Sequence, residues 1–143
     1  MIPYGEQHID EDDIRAVIEA LRSDWLTQGP RIEEFEEALA GYCGARYAVA
    51  VSSGTAALHL ACLAAGIKEG DEVITSPITF VASANCVLYC RGIPVFADID
   101  EKTYNISPEE IQKKITHKTK AVIPVDFAGL PCDMEAIRKI ADE

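Results

Sequence analysis

Apolar positions along the chain keep two different periods, and the points where one gives way to the other divide the sequence into elements. Behind the acidic run Asp10-Glu-Asp-Asp13, the residues Ile14, Val17, Ile18 and Leu21 fall at i, i+3, i+4 and i+7. Negative charge at the positive end followed by a helical stripe predicts an amphipathic surface helix. Trp25-Leu-Thr-Gln-Gly-Pro30 breaks that pattern, and Ile32, Phe35, Leu39 and Tyr42 resume it as a second amphipathic helix closing near Gly44. From there the period shortens. Tyr47 to Val51 reads as a strand, Ala56 to Ala65 as a helix capped by Gly66, Glu72 to Thr75 as a strand, Ser76 to Phe80 as a loop, and Val81 to Tyr89 as a helix stopped at Gly92. Ile93 to Ala97 is strand-like, and Ser107-Pro-Glu-Glu110 is a capping box with Pro at the first helical position, opening a helix to about Ile115. Ala121 to Phe127 is a further apolar strand, and Asp133 begins a helix still running at Glu143. Strands alternating with helices imply a parallel sheet covered on both faces, an α/β fold of three layers, α/β/α.

Composition narrows the partners. The chain has 143 residues, 48% of them hydrophobic, enough for a core, and carries a net charge of −11. That acidity argues against nucleic acid or an anionic membrane as partner, since both call for a basic surface. No apolar run reaches membrane-spanning length and the first residues lack the pattern of a signal peptide, so the cytoplasm is the expected compartment. Cys43, Cys62, Cys86, Cys90 and Cys132 make an odd number with no Cys-x-x-Cys pair, which favours buried reduced thiols over disulfides or zinc. No spacing of His, Cys or carboxylates suggests a metal site. Asn105-Ile-Ser107 matches a glycosylation acceptor, a match taken as chance in a cytoplasmic chain. The alternation stops in mid-helix at Glu143 without Gly or Pro, which suggests the front of a longer chain.

The candidate chemistry sits in Val49-Ala-Val-Ser-Ser-Gly-Thr-Ala-Ala-Leu-His-Leu60. Strand, tight turn and helix place Ser52-Ser53-Gly54-Thr55 at a helix N-terminus, where unpaired amides and the dipole favour an anion such as phosphate. Gly54 admits close approach to the backbone, and the hydroxyls of Ser53 and Thr55 add donors. The same turn is also what a capped helix without a ligand looks like, because Ser and Thr are preferred N-caps. It is neither a Walker A loop nor Gly-x-Gly-x-x-Gly, so a P-loop nucleotide or an ordinary dinucleotide is not the ligand it suggests. His59, among Leu58, Leu60 and Ala61 on the following helix, reads as a packed or rim histidine.

Taken together, Tyr4-Gly, Trp25-Leu-Thr-Gln-Gly-Pro30, Phe35-Glu, Ser53-Gly-Thr-Ala-Ala57, Ser76-Pro-x-Thr-Phe80-Val-Ala-Ser-Ala-Asn85, Val95-Phe-x-Asp98-Ile and Gly129-x-x-Cys-Asp-Met134 form an ordered series over essentially the whole chain. The series resembles the nucleotide-sugar aminotransferases of the DegT/DnrJ/StrS family, pyridoxal 5′-phosphate (PLP) enzymes of fold type I. The resemblance makes residues 1–143 the N-terminal part of that fold's large domain. Leu26-Thr-Gln-Gly, Ser76 to Asn85 and Pro124-Val-Asp-Phe-Ala-Gly129 look most like the pseudaminic-acid branch. Its members use glutamate to aminate C4 of a UDP-linked 4-keto-6-deoxy-N-acetylhexosamine, working as homodimers. By this resemblance Gly54, Thr55 and Ala56 hold the cofactor phosphate and Phe80 lies against the pyridine ring. Tyr4, Asp24, Trp25, Leu26 and Thr27, with Gly54 beside them, contact the nucleotide-sugar. Read without the resemblance, Phe80 would simply be core and Trp25 a cover for core surface.

Transamination also needs a Lys amine for the Schiff base and a carboxylate on the pyridine nitrogen. Lys68, Lys102, Lys113, Lys114, Lys118, Lys120 and Lys139 all fall in turns or on polar helix faces. By resemblance, the Schiff-base Lys and the ring-nitrogen Asp lie beyond Glu143, and Asp126 is a wall of the pocket whose role stays open. The chain alone is therefore expected to be inactive. Two other readings remain: a truncated product that only binds a phosphate-bearing ligand, and a sugar dehydratase of the same family, which carries His in place of the Lys.

Overall fold

In the computed structural model, which describes residues 5–143, the chain divides into two compact units, Met1–Ala50 and Val51–Glu143. The first consists of two helices. α1 (Glu11–Arg22) starts on a reciprocal capping box: Asp10 accepts the amides of Asp12 and Asp13, and Asp13 accepts the amide of Asp10. α2 (Pro30–Cys43) begins with Pro at the first turn and ends on left-handed Gly44 (φ 63°), a backbone state that a Cβ would disfavour. Arg31 reaches back to Glu19 and to Glu34 in exposed ion pairs, worth little each. The predicted apolar stripe of α1 is present, yet Ile14, Val17, Ile18 and Leu21 all stay exposed.

The second unit is a parallel sheet of order β2-β1-β3, made of β1 (Glu72–Thr75), β2 (Ile93–Phe96) and β3 (Thr119–Ile123). Helices α3 (Gly54–Ala64) and α4 (Ala82–Tyr89) cover one face; α5 (Pro108–Lys114) and α6 (Met134–Asp142) cover the other. The strand alternation sorts the core accordingly. Val73, Ala121 and Ile123 pack with Cys62, Ile67, Cys86, Val87 and Cys90, whereas Ile74, Val95 and Val122 pack with Ile106, Ile111, Cys132 and Ile137. Central β1 is apolar on both faces, as a strand between two helical layers must be. The expected three-layer α/β/α architecture with a parallel sheet is therefore what the second unit forms.

Three local expectations need correcting. Tyr47 to Val51 joins no ladder; Tyr47 and Val49 are exposed, and the Ala50 amide donates to Glu36 Oε1 at 2.7 Å instead of to a neighbouring strand. The strand expected over Ala121 to Phe127 runs from Thr119 to Ile123: Pro124 has no amide to continue it, and the polar start is recruited by pairing with β1. The Ser107 box is half made, since Ser107 Oγ accepts the Glu110 amide at 3.4 Å while the Glu110 carboxylate pairs with Lys113. α4 ends at Tyr89, ahead of Gly92 as expected, and the left-handed residue between them is Arg91 (φ 62°). Gly92 is small for another reason: a Cβ there would lie 2.8 Å from Val87 Cγ1, 2.9 Å from Ile67 Cγ2 and 3.2 Å from the Asp71 carbonyl.

Candidate cofactor-binding site

Ser53 stands in extended backbone and caps α3, its Oγ accepting the amide of Ala56 at 3.2 Å and its carbonyl the amide of Ala57 at 3.0 Å. The amides of Gly54 and Thr55 come before the first turn closes and meet no acceptor among the described residues. A Cβ on Gly54 would touch nothing within 4 Å, so the approach to those two donors is open. The helix thus offers two unsatisfied N–H groups, a partly buried Thr55 hydroxyl and a positive dipole end to one small anion. Ala56, by contrast, already gives its amide to the cap.

Packing fixes where that anion would sit. Ile67, just past the end of α3, touches the position of Gly92 at the start of β2, only a short loop joins α3 to the start of β1, and Leu58 in the first half of α3 packs on the core of the same face. α3 therefore runs against the strands, and Gly54 to Ala56 lie toward their C-terminal ends. That is the edge where ligands of parallel α/β sheets gather. Ser76 to Phe80 leaves the same edge from β1, with Ser76 Oγ accepting the amide of Ile78 at 3.1 Å and Thr79 bonded to Ser83 at 2.8 Å. Phe80, at the end of this loop, is 73% exposed.

In the first unit, Asp24, Trp25, Leu26 and Thr27 form one exposed turn between α1 and α2. Ser23 Oγ accepts the Trp25 amide at 3.2 Å, Gln28 is left-handed (φ 53°), and a Cβ on Gly29 would lie 2.6 Å from Trp25 Cβ, so only glycine fits beside the indole. Tyr4 lies outside the described residues. His59 is half-buried, its ring edge-on to Tyr89 with centroids 5.3 Å apart. All seven lysines are exposed.

Asp126 and Asn105 show what the sequence did not. Asp126 Oδ1 accepts the amide of Cys132 at 2.9 Å, tying down the loop that follows β3. Buried Asn105 donates to the carbonyls of Leu130 and Pro131 and accepts the Phe127 amide. Its amide nitrogen is engaged within the fold, which leaves no acceptor for a glycan. The partners are 22 to 26 residues away, beyond the reach of any local pattern. A groove of about 750 Å3 lies between Asp100–Glu109 and Pro131–Ala136 and includes none of the predicted site residues. Among the described residues no helix is long and apolar enough to cross a membrane, and no group of side chains is arranged to hold a metal ion.

A helix start with two amides free of acceptors among the described residues and an exposed aromatic follow one another around the parallel sheet of this α/β fold. Residues 7–143 match the DegT/DnrJ/EryC1/StrS aminotransferase family, and the chain belongs to it. It is 50% identical over 140 residues to the spore coat polysaccharide biosynthesis protein SpsC of Bacillus subtilis, covering 98% of this chain and 36% of that protein. Among solved structures it is similar to the PLP-form of the putative sugar aminotransferase Spr1654 from Streptococcus pneumoniae (TM-score 0.91, 35% identity, 97% of this chain and 36% of that one). It is also similar to Helicobacter pylori PseC, an aminotransferase involved in the biosynthesis of pseudoaminic acid (TM-score 0.88, 38% identity, 98% and 38%). The chain thus spans little more than a third of the relatives it matches. Spr1654 is known in PLP- and PMP-forms, and PLP is the cofactor of the family.

Proposed function

We propose that this chain supplies the cofactor-phosphate and substrate-facing part of a nucleotide-sugar aminotransferase. The reaction is transfer of an amino group from glutamate to C4 of a UDP-linked 4-keto-6-deoxy-N-acetylhexosamine, by a homodimer. The observation that carries this reading is the pair of unsatisfied amides at Gly54 and Thr55, openly approachable, in a chain whose solved relatives carry PLP. When bound, PLP supplies the electron sink that lets the amino group leave one carbon and join another. The residues here bind and orient it. Gly54 and Thr55 donate backbone N–H bonds to the phosphate, the Thr55 hydroxyl adds a third donor, and Ala56, held by Ser53, fixes the pitch of the first turn. Phe80 lays a flat apolar face on the ring and keeps water from one side of it. Asp24 to Thr27, with Tyr4, receive the nucleotide-sugar. The chain's own lysines, all exposed, are solvated charges and not the reacting amine, which belongs to the remainder of the family's length; the 143 residues alone bind without transaminating.

Titration of the chain with PLP and with pyridoxal separates the phosphate loop from adventitious amine chemistry. Tighter binding of PLP by tenfold or more, lost in Gly54→Val, is expected, because charge-assisted hydrogen bonds contribute about 1.5–3 kcal/mol each. Equal affinity for the two would overturn the reading. In the protein of the relatives' length that carries this chain, glutamate and the keto sugar should give the 4-amino sugar; loss of the C3 hydroxyl would assign a dehydratase instead.

A further inference from the structure

Two non-glycine residues of the second unit hold left-handed backbone on either side of one buried side chain. Tyr104 (φ 61°) precedes Asn105, and Ala128 (φ 53°) lies inside the segment that Asn105 grips. Such conformations persist where the surroundings over-determine them. Here they do. Asn105, 4% exposed, accepts the amide of Phe127 at 2.9 Å and donates to the carbonyls of Leu130 at 2.9 Å and Pro131 at 3.1 Å. The Tyr104 and Phe127 rings pack with centroids 6.1 Å apart. Asp126 Oδ1 closes the loop on the Cys132 amide, and Cys132 Sγ donates to the Val125 carbonyl at 3.2 Å. A buried amide spending both its donor and its acceptor capacity on one loop makes that loop rigid.

The loop lies where the proposed chemistry would need rigidity. It leaves the C-terminal end of β3, which is tied to the C-terminal end of β1 by the bond from Thr75 Oγ1 to the Ile123 carbonyl at 2.9 Å. β1 in turn runs into Ser76 to Phe80. Asp126, three residues past that tie, is exposed; its Oδ1 holds the Cys132 amide, the Cys132 thiol lies beside the same carboxylate, and Oδ2 accepts no backbone amide among the described residues. We infer that Asp126 Oδ2 is a preset acceptor for a hydroxyl or amino group of the substrate, and that Asn105 is the positioning residue that aims it. The inference rests on the aminotransferase reading above and adds to it the pair of residues that orients the polar group of the sugar. A carboxylate fixed by one oxygen can offer the other at a constant angle, which is how a single acceptor selects one stereochemistry of a donor.

Three substitutions and one exchange measurement test it. In the chain, the amides of Phe127 and Cys132 should exchange slowly with solvent and become fast in Asn105→Ala; fast exchange in the unaltered chain would overturn the clamp. In the aminating protein, Asp126→Asn retains the bond to the Cys132 amide and replaces the free oxygen, so the fold stays. It should raise KM for the keto sugar by about tenfold while kcat and the cofactor absorbance hardly move. Asn105→Ala should show the same split. Ala128→Gly, which relieves the left-handed strain, should restore part of KM in the Asn105→Ala background. Unchanged KM in Asp126→Asn, with the unaltered protein active, would overturn this inference alone. An unaltered protein that binds PLP yet aminates no sugar would overturn the function, and the substrate role of Asp126 with it.

Discussion

Single side chains carry the packing limits of this fold. Gly92 is the sharpest case, because the groups that a Cβ would meet are the stiff branches of Val87 and Ile67 and the backbone carbonyl of Asp71. None of these can swing aside at small cost. Gly92→Ala should therefore lower stability by about 1–3 kcal/mol, as overpacking of a tight core does; urea denaturation followed by circular dichroism measures it. Cys62 is the second case. It sits 3.6 Å from Cys86 between α3 and α4, and burial, reinforced by Cys86, pushes its thiol up to about 11. Burial likewise raises Cys90, with the neighbouring Cys62 adding to the effect. A folded-state value above the unfolded one means the fold prefers the neutral thiol. Its contribution is complete below the unfolded value near 9.0 and is lost as pH rises toward 11. Stability should thus fall progressively between pH 9 and 11, less so in Cys62→Ala once its lower baseline is subtracted. Exposed Cys43 should react with iodoacetamide at pH 8 long before Cys62, Cys86 or Cys90.

At the scale of elements, what was legible in the sequence was what local chemistry decides. The acidic cap of α1, Pro30 and Gly44 at the two ends of α2, and the apolar runs of β1 and β2 each announce themselves within a few residues. Tyr47 to Val51 is different. Its apolar content is that of a strand, but a strand exists only if another supplies hydrogen bonds, and Ala50 gives its amide to Glu36. The start of β3 at Thr119 was missed for the converse reason: polar residues become strand because β1 pairs with them. In the candidate site, the free amides of Gly54 and Thr55 could be foreseen because a helix start leaves its first N–H donors without acceptors. The loop after β3 was not, because Asn105 acts on it from more than twenty residues away. The α3 cap gives a clean test of the element. Ser53→Ala removes the acceptor for the Ala56 amide, and should cost about 1 kcal/mol of stability. It should also weaken PLP binding several-fold by letting the first turn fray, whereas Ser52→Ala, one residue outside the cap, should change neither. Calorimetric titration of both variants decides it.

For the whole molecule, the governing fact is that these 143 residues span only 36–38% of the relatives they resemble, yet include the whole of the helix start proposed to hold the phosphate. Binding and chemistry should therefore come apart. The phosphate contacts proposed for Gly54 and Thr55 would depend only on the start of α3, and α3 is held by its own core with α4 and β1. A reacting lysine has the opposite requirement: it needs an apolar setting that lowers its pKa and brings the neutral amine to the cofactor. None of the seven lysines has one, each being exposed, and Lys113 is held above the ordinary lysine range by its bond to Glu110. Incubated with PLP and then borohydride, the chain should take up the cofactor reversibly and lose nearly all of it on dialysis before reduction. Reduction should leave only scattered, sub-stoichiometric label over several lysines in peptide mass spectra. Stoichiometric label on a single lysine would mean that one of the seven enters the site after all, and that the catalytic amine lies within this chain.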